Sequence, residues 1–165
     1  MSLDADLARI ALQEERLQFD AFDPDTAWQL GSRLRDRALA AGHRIAIEIR
    51  QQGFPLFYSA LPGTSPDNAD WLRRKRNVVE RFHKSSYAVG LSMDKRGMTL
   101  EERYGIPLAD YVGAGGGFPI RVRGTGVVGF IGVSGLAQRE DHNFIVEVMA
   151  DVLGVALGEV ALAAE

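Results

Sequence analysis

Residues 113–135 constrain the fold of this chain more than any other stretch, because glycine recurs throughout them. Gly115, Gly116 and Gly117 are consecutive. A backbone without Cβ atoms can adopt positive φ angles and lets another group approach closely. The three glycines therefore predict a loop that packs tightly against a neighbouring element or a ligand.

Two strands follow this glycine loop. Residues 120–123 alternate between aliphatic and arginine side chains, which predicts a strand with one buried face. A Gly-Thr pair then makes a favoured two-residue hairpin connection. The second strand, within 127–133, is apolar on both faces and is expected at the centre of its sheet. Gly126, Gly129 and Gly132 interrupt it, which indicates that a helix or a ligand packs directly on its backbone.

The composition limits the classes of function. A chain of 165 residues is long enough for one substantial core. Its net charge of −3 gives no general attraction to nucleic acid or to an anionic membrane, so we expect neither partner. The absence of cysteine excludes disulfides, thiolate metal sites and cysteine catalysis. Because no signal peptide or membrane-spanning apolar run is recognisable, we expect a cytoplasmic protein.

The order of the predicted elements indicates the fold class. An N-cap residue followed by proline begins helices at residues 24 and 66. Alternating patterns predict a brief strand within 17–22 and a hairpin over 45–61. A long amphipathic helix is expected from Asp141 to Ala164. Two hairpins separated by helices favour an α+β fold with an antiparallel sheet.

Three stretches together resemble a known family. Gly115–Ile120, Gly129–Gly135 and Asp141 are similar to the signature of the GlcG/HbpS-like haem-degrading-domain family. That signature is a Gly-Gly-x-Pro-Ile strand, a Gly-x-Ile-Gly-Val-Ser-Gly strand and an aspartate that opens the last helix. The resemblance covers roughly residues 24–154 and looks like a largely uncharacterised branch of the family.

The resemblance implies a profilin-like antiparallel sheet of about five strands with helices on both faces. It also implies compact homo-oligomers. From the chain length and the helical spacing near the start, we expect a single domain over 1–165, in which 1–17 form an N-terminal accessory helix. Some members of the family bind haem or iron, and others have no established activity. Whether this chain is an enzyme stays open, because no catalytic motif is present in it.

The resemblance also places a ligand site between the glycine loop, the middle helix and the start of the last helix. Lys75 matches the lysine of the family's Lys-Ala-x-Thr-Ala motif, whereas larger side chains replace the small residues after it. Glycine N–H groups and the Lys75 ammonium favour an anionic group such as a carboxylate or a haem propionate. The predicted ligand-binding set is Lys75, His83, Gly115, Gly116, Gly117, Pro119, Asp141 and His142.

The histidines show no spacing typical of a metal site, so we expect no metal site. His83 lies near the predicted end of the middle helix, and His142 follows Asp141 in the first turn of the last one. Each is a candidate for contact with a ligand, because histidine is common in binding sites, but an ordinary structural role is the first expectation for both.

Two hypotheses from different classes account for these features. The first is an oligomeric protein that binds a small anionic molecule, with haem as one candidate. The second is a non-catalytic assembly or protein-interaction module, because catalytic pairs are missing and larger side chains replace the family's small ones. An open, polar cavity beside Lys75 would favour the first hypothesis.

Assembly is predicted from unpartnered apolar faces. The apolar face of the N-terminal helix has no evident place in a profilin-like core, and the last helix continues into apolar residues 160–163. A homo-oligomer, most simply built from two-fold dimers, would cover both surfaces. We therefore expect deletion of residues 1–17 to weaken assembly more than the fold of each subunit.

Overall fold

The computed structural model describes residues 2–163. In chain order the elements are α1 (Leu3–Arg16), α2 (Pro24–Ala41), β1 (Ala46–Gln51), β2 (Phe54–Ala60), α3 (Pro66–Phe82), α4 (Ser86–Arg96), α5 (Leu100–Tyr104), β3 (Gly117–Val122), β4 (Gly126–Ser134), α6 (Gln138–Leu153) and α7 (Leu157–Val160). Among these helices, none is both long and apolar enough to cross a membrane.

Local capping residues set the ends of the longer helices, as the sequence predicts. At the start of α2 the carboxylate of Asp23 accepts the N–H of Thr26 at 2.8 Å. Pro24 is the first helical residue, where its missing N–H costs nothing. The helix ends at Gly42, whose φ of 71° is accessible mainly to glycine. The predicted helix start at residue 66 is confirmed: Pro66 is the first helical residue, and the N–H of Ser65 donates to Asn68 Oδ1 at 2.9 Å.

The sheet has four antiparallel strands in the order β2-β1-β4-β3. The predicted α+β class is confirmed, as is the central position of β4, whose Ile131 lies between Ile49 of β1 and Phe118 of β3. Within residues 2–163 the sheet has one strand fewer than the expected count of about five. Residues 17–22 make only one bridge, from Phe19 to β3, because α2 begins so soon afterwards that the segment cannot continue.

Helices cover both faces of the sheet, and most of the core lies on one of them. Ile47 and Ile131 point toward α2 and α6 and belong to the main hydrophobic cluster. Because side chains alternate along a strand, Glu48 points to the opposite face and meets α3. A Cβ at Gly132 would lie 2.3 Å from the Phe130 ring and 2.8 Å from Leu72 of α3, so this strand glycine leaves room for the side chains that pack between β4 and α3.

The expectation of one long last helix over 141–164 is wrong. Helix α6 ends at Leu153, because Gly154 adopts a φ of 68° and its N–H bonds to the last carbonyls of the helix. A separate short helix, α7, follows after a turn, and Ala164 lies outside the described residues.

Helix α1 is covered by its own chain, which corrects the expectation that its apolar face has no place there. Ile10 is fully buried in a cluster with Tyr87, Leu91 and Leu162. Polar contacts fix the helix further: the carboxylate of Glu14 accepts the backbone N–H of Ser85, the N-cap of α4, at 2.6 Å. The contacts of α1 with α4 and with the C-terminal segment join parts of the chain that are far apart in sequence. The local pattern of α1 therefore cannot predict them.

Candidate functional site

A cavity of about 340 Å³ opens beside the first half of α3. Four parts of the chain converge on it: α3, the glycine loop before β3, the end of β4, and the start of α6. This volume falls within the range of small-molecule sites. The lining residues are Asp67, Asn68, Trp71, Lys75, Ala114, Gly115, Ser134, Gly135, Leu136, Gln138 and Asp141.

Lys75 and Asp141 form a buried ion pair on the wall of this cavity. The Lys75 ammonium donates to Asp141 Oδ2 at 3.1 Å and to the carbonyl oxygen of Val133 at 2.9 Å. Burial raises the pKa of Asp141, and the neighbouring ammonium opposes that shift. Burial lowers the pKa of Lys75, and the carboxylate opposes it in turn. Ionisable groups perturbed in this way beside a cavity mark a candidate functional site, although structural ion pairs shift pKa values in the same directions.

The local fold explains why these two side chains meet. Lys75 lies on the buried side of α3, together with Leu72 and Val79, and is therefore directed at the sheet. Asp141 lies in the first turn of α6, where the helix dipole stabilises a carboxylate. Its Oδ1 also accepts the N–H of Leu136 at 3.0 Å, so both of its oxygens have donors.

The glycine loop comes close to this pair, as predicted. Gly116 has a φ of 115°, and a Cβ there would lie 2.4 Å from the Val133 carbonyl oxygen and 2.6 Å from the Lys75 ammonium. Two of the loop N–H groups are used within the protein. Gly115 donates to Gln138 Oε1 at 3.3 Å, and Gly117 donates to Ser86 Oγ at 2.9 Å. The loop therefore shapes the cavity more than it supplies free donors.

Five residues of the predicted set do not line this cavity: Gly116 and Gly117 lie in the loop beside it, and three others lie elsewhere. His142 is fully buried, with Nε2 2.7 Å from Gln13 Oε1, and burial together with nearby Arg139 lowers its pKa to about 3. His83 is exposed, ends α3 with a φ of 53°, and lines a separate depression of about 260 Å³. Pro119 is buried within the edge strand β3. None of the three lines the Lys75 cavity.

Sequence reasoning missed the polar and aromatic neighbours of Lys75. Asn68, Trp71 and Lys75 are spaced by three and four residues, so they share one face of α3. That spacing was the available signal. The Trp71 ring forms one wall, with the Arg74 guanidinium carbon 4.1 Å from its centroid. Gln138 belongs to α6 and reaches the site only through the tertiary fold.

The polar side of α3 clamps the loop that leads to the glycines. Arg73 donates to Asp110 Oδ1 at 2.9 Å, and the Asn77 amide donates to the Asp110 carbonyl at 2.8 Å. Gly90 of α4 lets this loop come close, since a Cβ there would lie 1.6 Å from the Gly113 carbonyl oxygen. These basic and amide side chains thus have partners within the chain.

Comparison with known sequences places the chain among a group of bacterial relatives. A UPF0303 protein of Azotobacter vinelandii is 56% identical over 162 residues, which cover 98% of both chains. A UPF0303 protein of Serratia proteamaculans is 54% identical over 157 residues, which cover 95% of this chain and 98% of the relative.

Solved structures share the fold. The crystal structure of the Ybr137w protein aligns with a TM-score of 0.84 at 27% identity, covering 90% of this chain and 87% of the other. HbpS aligns with a TM-score of 0.65 at 20% identity, covering 83% and 93%. A PduOC:Heme complex aligns with a TM-score of 0.67 at 17% identity, covering 79% and 94%.

The predicted resemblance is confirmed by a family profile described as "Haem degrading protein HbpS-like", which matches residues 22–150. This match spans the sheet, α3 and most of α6. The chain therefore belongs to the HbpS-like family of haem-degrading proteins.

Proposed function

We propose that this protein binds a small molecule in the Lys75 cavity and holds it through a single acceptor group such as a carboxylate. The observation that carries the proposal is the set of hydrogen-bonding groups left unused on the cavity wall. A Lys75 ammonium has three hydrogens, and two of them are given to Val133 and Asp141. One donor therefore remains for a ligand.

The other polar groups point to the same class of ligand. Both oxygens of Asp141 already accept hydrogen bonds, from Lys75 and Leu136. Gln138 Oε1 accepts from Gly115, which leaves the amide nitrogen of Gln138 as a donor. A ligand that supplies an acceptor thus complements the cavity better than one that supplies a donor.

Charge and shape narrow the ligand further. The charged residues of the cavity wall are Asp67, Lys75 and Asp141, that is, one cation and two carboxylates. Lys75 is the single cation on this wall and can pair with one carboxylate of a ligand, whereas a second anionic group would find no cation there and would face the carboxylates of Asp67 and Asp141. Trp71 offers a flat apolar surface, and a volume of about 340 Å³ suits a compact molecule.

Haem, which gives the family its description, fits this cavity poorly. Haem iron is held in proteins by His, Cys, Met or Tyr side chains. The side chains that line the cavity within residues 2–163 include none of these four types. The two haem propionates would also meet the excess of carboxylates. Haem is therefore not the ligand that we propose for this cavity, and haemin is used only as a probe in the experiment below.

The proposal is tested by the fluorescence of Trp71. Because the chain has two tryptophans, a Trp28→Phe background leaves Trp71 as the only reporter. Benzoate is titrated against its neutral amide, benzamide, and its dicarboxylate analogue, phthalate. We expect saturable quenching by benzoate, weaker quenching by the other two, and loss of the benzoate response in Lys75→Met/Asp141→Asn.

The matched control is Lys95→Met, which removes an exposed lysine paired with Asp4. It is expected to bind benzoate as the background protein does. A linear response to benzoate, or an equal response in the Lys75→Met/Asp141→Asn variant, would overturn the proposal. Haemin is titrated in parallel, and a saturable Soret shift that requires Lys75 would show that haem, against our expectation, uses this cavity.

The second hypothesis, a non-catalytic interaction module, is favoured by a different observation. Three aromatic side chains are exposed around one edge of the sheet: Trp28, Phe54 and Tyr58. Exposed aromatic side chains are typical of interaction surfaces and are compatible with ligand binding elsewhere. A cytoplasmic location stays part of the proposal, because the absence of cysteine suits a reducing compartment.

A further inference from the structure

A second cavity adjoins the Lys75 cavity. Its volume is about 410 Å³, and it lies where α4, α5 and the loop that leads to β3 meet. Ala114 and Gln138 line both cavities, so the same two residues form the boundary between them. The guanidinium of Arg74, which lines the second cavity, stacks on Trp71 of the first, 4.1 Å from the ring centroid. The two cavities are therefore adjacent parts of one concave surface.

The second cavity is mainly apolar. Its larger apolar side chains are Met93, Met98, Leu100, Leu108, Tyr111 and Val112. Met98 is 37% exposed and Leu108 is 44% exposed, although both side chains are large and apolar. Neighbouring exposed side chains of this kind mark a binding site more often than isolated ones do. Methionine is flexible and adapts to groups of different shape, so this wall suits a hydrocarbon chain.

The two cavities differ in charge as well as in polarity. The charged residues of the second wall are Arg74 and Asp94, whose charges cancel. On the first wall, the Lys75 ammonium keeps one hydrogen for a ligand, as described above. The combined surface is thus apolar at one end and presents a donor for a carboxylate at the other.

We propose that the two cavities bind one ligand, a monocarboxylate with a hydrocarbon chain, whose carboxylate meets Lys75 and whose chain lies in the second cavity. The carboxylate end of this ligand rests on the function proposed above for the Lys75 cavity, and the second cavity adds the chemical class of the remainder. Haem also combines carboxylates with an apolar body, but it carries two of them. Of the residues that line the two cavities, two are cations and three are carboxylates, so a second anionic group would add to an existing excess.

The test extends benzoate by an alkyl chain. Benzoate, para-butylbenzoate and para-hexylbenzoate are titrated by Trp71 fluorescence in the Trp28→Phe background. Each methylene that leaves water for an apolar wall tightens binding by up to about fourfold. We therefore expect para-butylbenzoate to bind at least about tenfold more tightly than benzoate, and para-hexylbenzoate to bind more tightly still.

Matched variants locate the chain of the ligand. Met98→Gln/Leu108→Gln makes the wall of the second cavity polar without adding charge. The ratio of the para-butylbenzoate and benzoate affinities should fall from at least about tenfold to about threefold or less in this variant. Leu157→Gln is the control and should keep the full ratio, because Leu157 is 42% exposed and lines neither cavity. Comparing ratios cancels any change in the binding of the carboxylate itself.

Methionine methyl NMR signals of the wild type supply a measurement that does not depend on how the variants fold. Met93 and Met98 line the second cavity, whereas Met149 is buried in the main core. Single Met→Leu variants assign the signals. We expect the Met93 and Met98 methyl signals to shift with para-hexylbenzoate much more than with benzoate, and the Met149 signal to stay in place with both.

The outcomes separate this inference from the proposed function. Binding of benzoate that requires Lys75 but does not tighten with the alkyl chain would overturn the inference alone. Binding that tightens with the chain but persists unchanged in Lys75→Met/Asp141→Asn would overturn the proposed function and the joint site. Unshifted Met93 and Met98 methyl signals at saturating para-hexylbenzoate would overturn the inference, as would displacement of that ligand by equimolar haemin.

Discussion

The Lys75 ammonium lies 3.1 Å from the carboxylate of Asp141, with both side chains only 3% exposed. This pair joins α3 to the start of α6 and forms part of the cavity wall. Its burial has a direct energetic consequence. Removing one partner leaves the other as an uncompensated charge, which costs more than the pair itself contributes.

We expect Lys75→Met to lower the free energy of unfolding by about 3–5 kcal/mol, because Asp141 is left buried and unpaired. Lys75→Met/Asp141→Asn should lose less, since the neutral amide still accepts the N–H of Leu136. Urea denaturation measures both. Lys95→Met, at an exposed ion pair, should change stability by less than about 1 kcal/mol. A double variant as unstable as Lys75→Met would contradict the explanation.

The stability of the protein should depend on His142 below pH 6.5. Burial holds the pKa of His142 at about 3 in the folded chain, whereas the ordinary value is 6.5. The unfolded chain therefore binds a proton that the folded chain refuses. The contribution of neutral His142 to the free energy of unfolding is fully present above pH 6.5. It is lost as pH falls toward 3, at up to about 1.4 kcal/mol per pH unit.

His142→Gln isolates this effect from the titration of the carboxylates. The difference in unfolding free energy between wild type and His142→Gln should shift in favour of the variant between pH 7 and pH 5. His83→Gln is the control, because His83 is exposed. Parallel stability curves for wild type and His142→Gln would show that His142 does not carry the effect.

Helix α1 should stabilise the subunit itself. Ile10 is fully buried, so Ile10→Ala is expected to cost about 2–5 kcal/mol in thermal or urea unfolding. Leu3→Ala, at a position of the same helix that is 37% exposed, should cost less than about 1 kcal/mol. Deleting residues 1–17 should lower the melting temperature further without reducing the number of subunits. If the deletion instead lowered the mass of the assembly and left the melting temperature unchanged, residues 1–17 would serve assembly, as the sequence predicts.

Gly90 should not tolerate alanine. A Cβ at this position would lie 1.6 Å from the Gly113 carbonyl oxygen, so α4 and the loop would have to separate. We expect Gly90→Ala to destabilise the fold by about 1–3 kcal/mol, despite the better helix propensity of alanine. Gly158→Ala is the matched helical control, because its Cβ would meet nothing within 4 Å. Equal melting temperatures for the two variants would count against this account of the loop.

The sequence predicts best what is local. Helix starts at Pro24 and Pro66 and the helix end at Gly42 follow from single residues, and the fold shows them there. The central strand β4 follows from a short apolar run. The family resemblance correctly places Lys75 near the glycine loop and Asp141.

Long-range relationships could not be predicted in this way. The burial of His142 depends on Gln13, which belongs to a helix at the other end of the sequence. The packing of α1 against α4 likewise depends on side chains such as Leu162. These are far apart in the sequence, so no local periodicity links them. The exposure of Trp28 is also invisible in sequence, because it depends on how far α2 covers β2.

The docking of α1 has a consequence for the order of events during synthesis. Ile10 packs against Leu162, and the Gln13 amide donates to the Val160 carbonyl at 2.8 Å. Helix α1 is translated before α4, which supplies part of its docking site, and long before Val160 and Leu162, which supply the rest. At about 5–20 residues per second, it waits on the order of ten seconds for them. During that interval its apolar face is free to meet chaperones, and the native subunit is completed only after residues 160–162 emerge.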